Sequence, residues 1–211
     1  MIAELSGALG RIAELGGPVV LILGALSVLV LAVIAYKLWQ FAAAGVGRHA
    51  ALEAALDAWD RGDPETARDR LARSRSYLGP VLEMAMAGQR DAGRLEAEAE
   101  ARFARLERGF RLLDAVAQIA PLLGLFGTVL GMISAFRALE AAGAQVDPGV
   151  LAGGIWVALL TTAAGLAVAM PTALALSWFE GRMDAERVLA GRALRVLLAP
   201  VRRAGEEARH A

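Results

Sequence analysis

The stretch Ala120-Pro121-Leu122-Leu123-Gly124-Leu125-Phe126-Gly127-Thr128-Val129-Leu130-Gly131-Met132-Ile133-Ser134-Ala135-Phe136 decides how this chain must fold. Asp114 and Arg137 are the nearest charges on either side, so the segment between them is about 33 Å long as a helix, enough to cross a bilayer core. At helical spacing Ala120, Gly124, Thr128, Gly131 and Ala135 share one face, while Leu122, Leu125, Phe126, Val129, Ile133 and Phe136 cover the rest. Lipid does not reward such asymmetry, but a neighbouring helix does. Small residues let backbones approach, and a hydroxyl needs a partner inside a bundle. The helix is therefore expected to pack against protein through the face that holds Thr128.

The rest of the composition agrees with a membrane setting. The 211 residues are 57% hydrophobic, with a mean hydropathy of +0.49, and the apolar residues lie in long runs. Formal net charge is zero, which removes any general attraction to nucleic acid. With no cysteine and only His49 and His210, the chain offers no disulfide, no thiolate nucleophile and no His/Cys metal cluster. No cofactor or metal is expected. Lys37 is the only lysine and reads as a composition bias towards arginine.

From the amino end, residues 1–17 mix Glu4, Arg11 and Glu14 with Ile2, Leu5, Leu9, Ile12 and Leu15, the spacing of an amphipathic helix on the outer membrane surface. Residues 18–40 form a first span. It is uncharged until Lys37 and lacks the positive leading end and cleavage pattern of a signal peptide, so it is expected to be retained. Residues 41–111 are arginine-rich, which by the positive-inside rule makes them cytoplasmic. Within them His49 to Trp59 reads as a helix, Asp63-Pro64-Glu65 as a helix start, and Gly79-Pro80 as a break. From Asp91 onward Leu95, Ala99, Phe103, Leu106, Phe110, Leu113 and Ala117 recur every three or four residues. This predicts one helix running from the cytoplasm into the second span, 112–138. A link at 139–149 turns the chain outside, a third span occupies 150–179, and a basic tail helix, 180–211, returns to the cytoplasm. The tail's apolar residues Met183, Val188, Leu189 and Val196 alternate with Arg182, Arg187, Arg192 and Arg195.

The third span repeats the design of the second. Ala158, Thr162, Gly165, Ala169 and Ala173 share a small face, with Thr161 beside it. Thr128 and Thr162 lie about 14 and 20 Å from the outer ends of their spans, well inside the hydrocarbon layer. A hydroxyl at that depth either bonds a carbonyl one turn back in its own helix or lines a polar path. Pro121 and Pro171 either kink their helices harmlessly or shape a cavity by freeing carbonyls. Inside the flanking charges Lys37, Asp114 and Arg137 no Asp, Glu, Lys, Arg or His lies within any span, so a proton relay in the membrane would need an acid from a partner. Enzymatic chemistry is not expected, because no nucleophile with its base, metal set or phosphate loop is present.

The run from Ala120 to Met132, followed by Ala158-Leu159-Leu160-Thr161-Thr162-Ala163-Ala164-Gly165-Leu166 and Pro171, resembles the MotA/TolQ/ExbB proton-channel family, most closely its ExbB branch. The resemblance is specific over roughly Arg102 to Glu180; MotA is less similar, having four spans and a longer chain. It implies a subunit of the bacterial inner membrane that forms a ring-like homo-oligomer, a pentamer. Spans two and three would then surround the helices of an ExbD-like single-span partner whose membrane aspartate titrates, and a TonB-like protein would deliver the energy to outer-membrane transport. It places the pore threonines on Thr128 and Thr162, with Thr161 adjacent. Gly124, Gly127, Gly131 and Gly165 would serve packing, and Pro121 and Pro171 pore shape. One position departs: just before Ala-Leu-Leu, where the family commonly has an acid, stands Val157.

The sequence thus predicts an all-α membrane protein with three transmembrane helices and long cytoplasmic extensions, amino terminus outside and carboxyl terminus inside. Its function is read as an ExbB-like stator or channel subunit driven by the proton motive force. A TolQ-type subunit for envelope maintenance is the near alternative, and a non-conducting membrane scaffold the alternative of another class. The small faces are expected to hold the oligomer together, on the ground that one chain cannot hide both.

Overall fold

The computed structural model describes the backbone of residues 2–142 and 148–199, and the side chains within these from residue 17 onward except 142 and 150. Seven helices follow in order: α1 Ile2–Ala43, α2 Ala50–Asp60, α3 Pro64–Ala72, α4 Gly79–Met86, α5 Ala92–Leu106, α6 Phe110–Ala142 and α7 Pro148–Leu198. No strand occurs among the described residues. Among the described residues three segments are long and apolar enough to cross a membrane: Gly17–Ala43, Phe110–Ala141 and Leu151–Leu198. The expected amphipathic face at the amino end, the centre of the 139–149 link and the tail beyond residue 199 lie outside the described residues.

The chain forms two compact units, Met1–Ala35 with Gly109–Ser177, and Tyr36–Arg108 with Trp178–Ala211. In the first unit α1 departs from helical geometry at Gly17 (φ 65°, ψ −167°), directly before Pro18. Glycine has no Cβ penalty there, and proline disfavours the α region in the residue before it. Val19, Leu23 and Val30 of α1, Leu113, Val116, Ala120 and Ala135 of α6, and Ala158, Ala169 and Leu176 of α7 are buried. Leu122, Leu125, Val129, Leu159 and Leu174 remain exposed. A surface of that kind suits lipid.

The second unit is a conventional apolar core. Asp63 starts α3 by accepting from Thr66 N at 3.0 Å; the Thr66 side chain first, then its N–H, hold this carboxyl below its ordinary range. Pro64 occupies the first turn, where its missing N–H costs nothing. Gly79-Pro80, expected to break a helix, also starts α4. On α5 the periodic residues Leu95, Ala99, Phe103 and Leu106 are all buried. Leu52, Leu56 and Trp59 of α2, Val81 and Leu82 of α4, and Phe179, Met183 and Leu197 of α7 are buried in the same unit.

Two sequence expectations are corrected here. The helix forecast to run unbroken from Asp91 into the second span is interrupted at Gly109, which adopts φ 97°. α5 closes with Glu107 N donating to Phe103 O, and the N–H groups of Leu112 and Leu113 restart helix from Gly109 O. The hydrophobic period crosses this point without a gap, so the glycine was the sole signal of a break. The second correction concerns the α7 tail: Val188 is 72% exposed, whereas Phe179, Met183, Glu186, Ala190, Leu194 and Leu197 form the buried stripe.

Candidate functional site

In the first unit the small faces of α6 and α7 lie against each other. A Cβ on Gly124 would fall 2.8 Å from the carbonyl oxygen of Thr161, and one on Gly165 would fall 2.6 Å from that of Ala120. A Cβ on Gly127 would fall 2.6 Å from Thr161 Cβ, and one on Gly131 would stop 3.3 Å from Ala158. At Gly124 and Gly165 the neighbour is backbone, an approach that glycine alone permits, whereas Gly127 faces the Thr161 side chain and Gly131 faces Ala158. The expectation that the two faces need a second chain is thereby corrected: a single chain brings them together. Gly124, Gly131, Ala158 and Gly165 meet across the seam as the helical period predicts, and Gly127, rather than Thr128, faces Thr161.

The hydroxyls divide accordingly. Thr161 is buried and donates to Ala158 O at 2.7 Å, so it fills the seam opposite Gly127. Thr128 is partly exposed and donates to Leu125 O at 2.6 Å; Thr162 is also partly exposed. Thr172, which sequence reading passed over, is buried and donates to Val168 O at 2.6 Å. α6 and α7 continue through Pro121 and Pro171, each of which removes the bond to the carbonyl four residues earlier, Ala117 or Ala167. Val157 lines an apolar cavity of about 340 Å³ together with Pro18, Gly131, Ser134 and Gly154. An acid at that position would have to be desolvated among apolar groups.

The second unit holds a polar centre that the sequence reading missed. Glu186 is 1% exposed and accepts three hydrogen bonds, from Gly47 N at 2.9 Å, His49 Nε2 at 2.8 Å and Tyr77 Oη at 2.8 Å. Burial foremost, and then the Glu186 charge, push the Tyr77 phenol well above its ordinary value of 10.0. Thus the phenol stays protonated and donates. Gly47 has φ 80°, and a Cβ there would meet the Arg182 guanidinium. Lys37, taken from sequence as a compositional accident, is likewise buried. Its Nζ donates to Leu106 O at 2.8 Å and Gln40 Oε1 at 2.7 Å, satisfying the carbonyl end of α5. Glu107 pairs with Arg187 at 2.7 Å.

One signal could have found Glu186. The period 179, 183, 186, 190, 194, 197 puts it in the middle of the α7 apolar stripe, where an unpartnered carboxylate would be too costly to keep. Among the described residues no group of three or more His, Asp or Glu could hold a metal ion.

Comparison with known proteins reports on the same segments. Over 63 residues the chain is 52% identical to the biopolymer transport protein exbB1 of Vibrio cholerae, covering 30% of this chain and 28% of that protein. Over 81 residues it is 46% identical to a putative ExbB homolog of Methanothermobacter thermautotrophicus, covering 38% and 28%. Over 80 residues it is 41% identical to the Tol-Pal system protein TolQ of Haemophilus influenzae, covering 38% and 35%. The chain thus spans about a third or less of each of these relatives. A family model matches far more, from residue 50 to residue 190, a range that takes in α2 to α6 and most of α7, the α6–α7 seam, and Tyr77 and Glu186 of the polar centre. With three apolar helices of spanning length and that match over more than half its residues, the chain is a membrane protein that belongs to the MotA/TolQ/ExbB proton channel family.

Proposed function

We propose that the protein is an ExbB-type subunit of the inner membrane that couples the proton motive force to TonB-dependent outer-membrane transport. It works as a homo-oligomer, a pentamer, around an ExbD-like single-span partner whose membrane aspartate is the titrating group. Residues 41–111 and 180–211 lie in the cytoplasm, and the amino terminus and the 139–149 link lie outside, as the arginine distribution requires.

The observation that carries the reading is the division of hydroxyls across the α6–α7 seam. Thr161 is consumed inside the chain, whereas Thr128 and Thr162 remain partly exposed on neighbouring helices with no charge between residues 115 and 136 or 150 and 179. A hydroxyl can donate and accept, so the pair can hold water beside a partner carboxylate in either protonation state. Gly124, Gly127, Gly131 and Gly165 set their spacing, and Pro121 and Pro171 free carbonyls on the same two helices.

A TolQ-type role in envelope maintenance is the second reading, favoured by 41% and 38% identity to two TolQ proteins. A non-conducting scaffold is favoured by the self-bonded hydroxyls of Thr128 and Thr172. The double replacement Thr128→Val, Thr162→Val separates the two conducting readings from the scaffold, because valine keeps the shape and loses both hydrogen-bonding roles. Energy-dependent transport should be abolished while oligomer and partner remain associated. Normal transport at equal protein level would leave the hydroxyls a structural role only.

A further inference from the structure

Where α1 ends, the chain walls a cavity of about 520 Å³ whose lining includes Ala43, Gly47, Arg48, His49, Arg73 and Arg75. All charged side chains in that lining are cationic: three guanidinium groups and no carboxylate. Among the described residues Arg73 pairs with Asp69 at 2.9 Å, while neither Arg48 nor Arg75 has a carboxylate partner. The nearest buried acid, Glu186, is already engaged by Gly47 N, His49 Nε2 and Tyr77 Oη. His49 Nδ1 is shielded from solvent without a hydrogen-bond partner. Ala50 and Ala51, the first residues of α2, complete the wall, and no side chain caps that helix.

Guanidinium groups match phosphate oxygens in a planar, two-bond geometry, and free N–H groups of a first helical turn add to the pull on an anion. The volume lies in the range of small-ligand sites. Its position selects among phosphates: Ala42 and Ala43 line the cavity and close the apolar helical segment Gly17–Ala43, directly past the span at 18–40. An opening there lies at the level of lipid headgroups, where anionic lipids gather basic side chains. We propose that Arg48, Arg73 and Arg75 hold the phosphate of an anionic glycerophospholipid, giving the protein a built lipid site at the end of α1. The proposal rests on the chain crossing the membrane, and not on which transport system it serves.

The test is native mass spectrometry of the purified, delipidated full chain in detergent, titrated with phosphatidylglycerol and, separately, with inorganic phosphate. The triple variant Arg48→Gln, Arg73→Gln, Arg75→Gln should weaken phosphatidylglycerol retention about tenfold or more, and Arg94→Gln, on an exposed part of α5, less than about twofold. Ala50→Asp adds an acid to the first turn of α2, which favours the helix, so it should keep the fold and still lose the lipid. Equal retention by the triple variant and Arg94→Gln would overturn the proposal. So would inorganic phosphate displacing the lipid at equal concentration, which would assign the cavity to a soluble phosphate. Loss of the oligomer with lipid retained in Ala50→Asp would assign it to a neighbouring copy and overturn it as well.

Discussion

Adding one methyl group at Gly165 should damage the protein more than its size suggests. The new Cβ would lie 2.6 Å from the carbonyl oxygen of Ala120 and 3.1 Å from Gly124 Cα, where ordinary contact begins at 3.4 Å. Both neighbours are backbone, so no side chain can turn away. α6 and α7 must instead separate by the missing distance, 3.4 minus 2.6, or 0.8 Å, and the close approaches at Gly124, Gly127 and Gly131 loosen with it. Overpacking of this kind costs about 1–3 kcal/mol, and a value near 2 kcal/mol lowers the melting temperature of a chain this size by roughly 4–8 °C. Gly153 supplies the control: it lies on the same helix and nothing stands within 4 Å of its Cβ position. Gly153→Ala should therefore shift stability by less than about 0.5 kcal/mol. The assay is thermal unfolding in one detergent, followed by circular dichroism, for wild type, Gly165→Ala and Gly153→Ala. If Gly165→Ala melts with wild type, or if Gly153→Ala loses as much, the backbone contact between α6 and α7 is not what holds this unit together.

The second unit gives further tests. Glu186→Ala leaves the Gly47 N–H, His49 and Tyr77 donors unpaired in the interior and should cost about 3 kcal/mol or more, read as a lower denaturant midpoint. Tyr77 titrates in the folded state above its ordinary 10.0, so its contribution is complete below pH 10 and is lost as pH rises beyond it, when the unfolded phenol ionises first. Melting of wild type from pH 9 to 11 should fall more steeply than that of Tyr77→Phe, and parallel curves would show that the phenol is not held protonated. Gly47→Ala would force a side chain onto a left-handed φ of 80°, while the Arg182 guanidinium can swing aside, and should cost about 1–2 kcal/mol, whereas Gly181→Ala, in open space, should not destabilise in the same melt.

How legible the molecule was depends on which physical signal each part uses. The spans follow from apolar length alone, and the start of α3 from local chemistry at Asp63, so both could be read directly. The α6–α7 seam was readable from its small residues: Ala120, Gly124, Gly131, Ala158 and Gly165 meet across it as the helical period predicts. Which threonine enters the seam was not, because adjacent positions differ by about 100° and only the partner helix selects between them. The break at Gly109 was written as one residue inside an uninterrupted hydrophobic period. Glu186 and Lys37 were hidden for a different reason. A charged residue reads as solvent-facing until its distant partners are known, and those of Glu186 lie 109 to 139 residues away.

The central claim is that this chain builds a hydroxyl-lined path but carries no titrating group of its own within the membrane. It is tested most directly by proton flux into pH-dye-loaded liposomes containing the purified chain, with and without a single-span partner bearing one membrane aspartate. The account predicts no flux from the chain alone, flux when the partner is added, and its loss when the partner's aspartate is changed to asparagine or when Thr128 and Thr162 are both changed to valine. Proton flux through the chain alone, or undiminished flux with both threonines replaced, would contradict it.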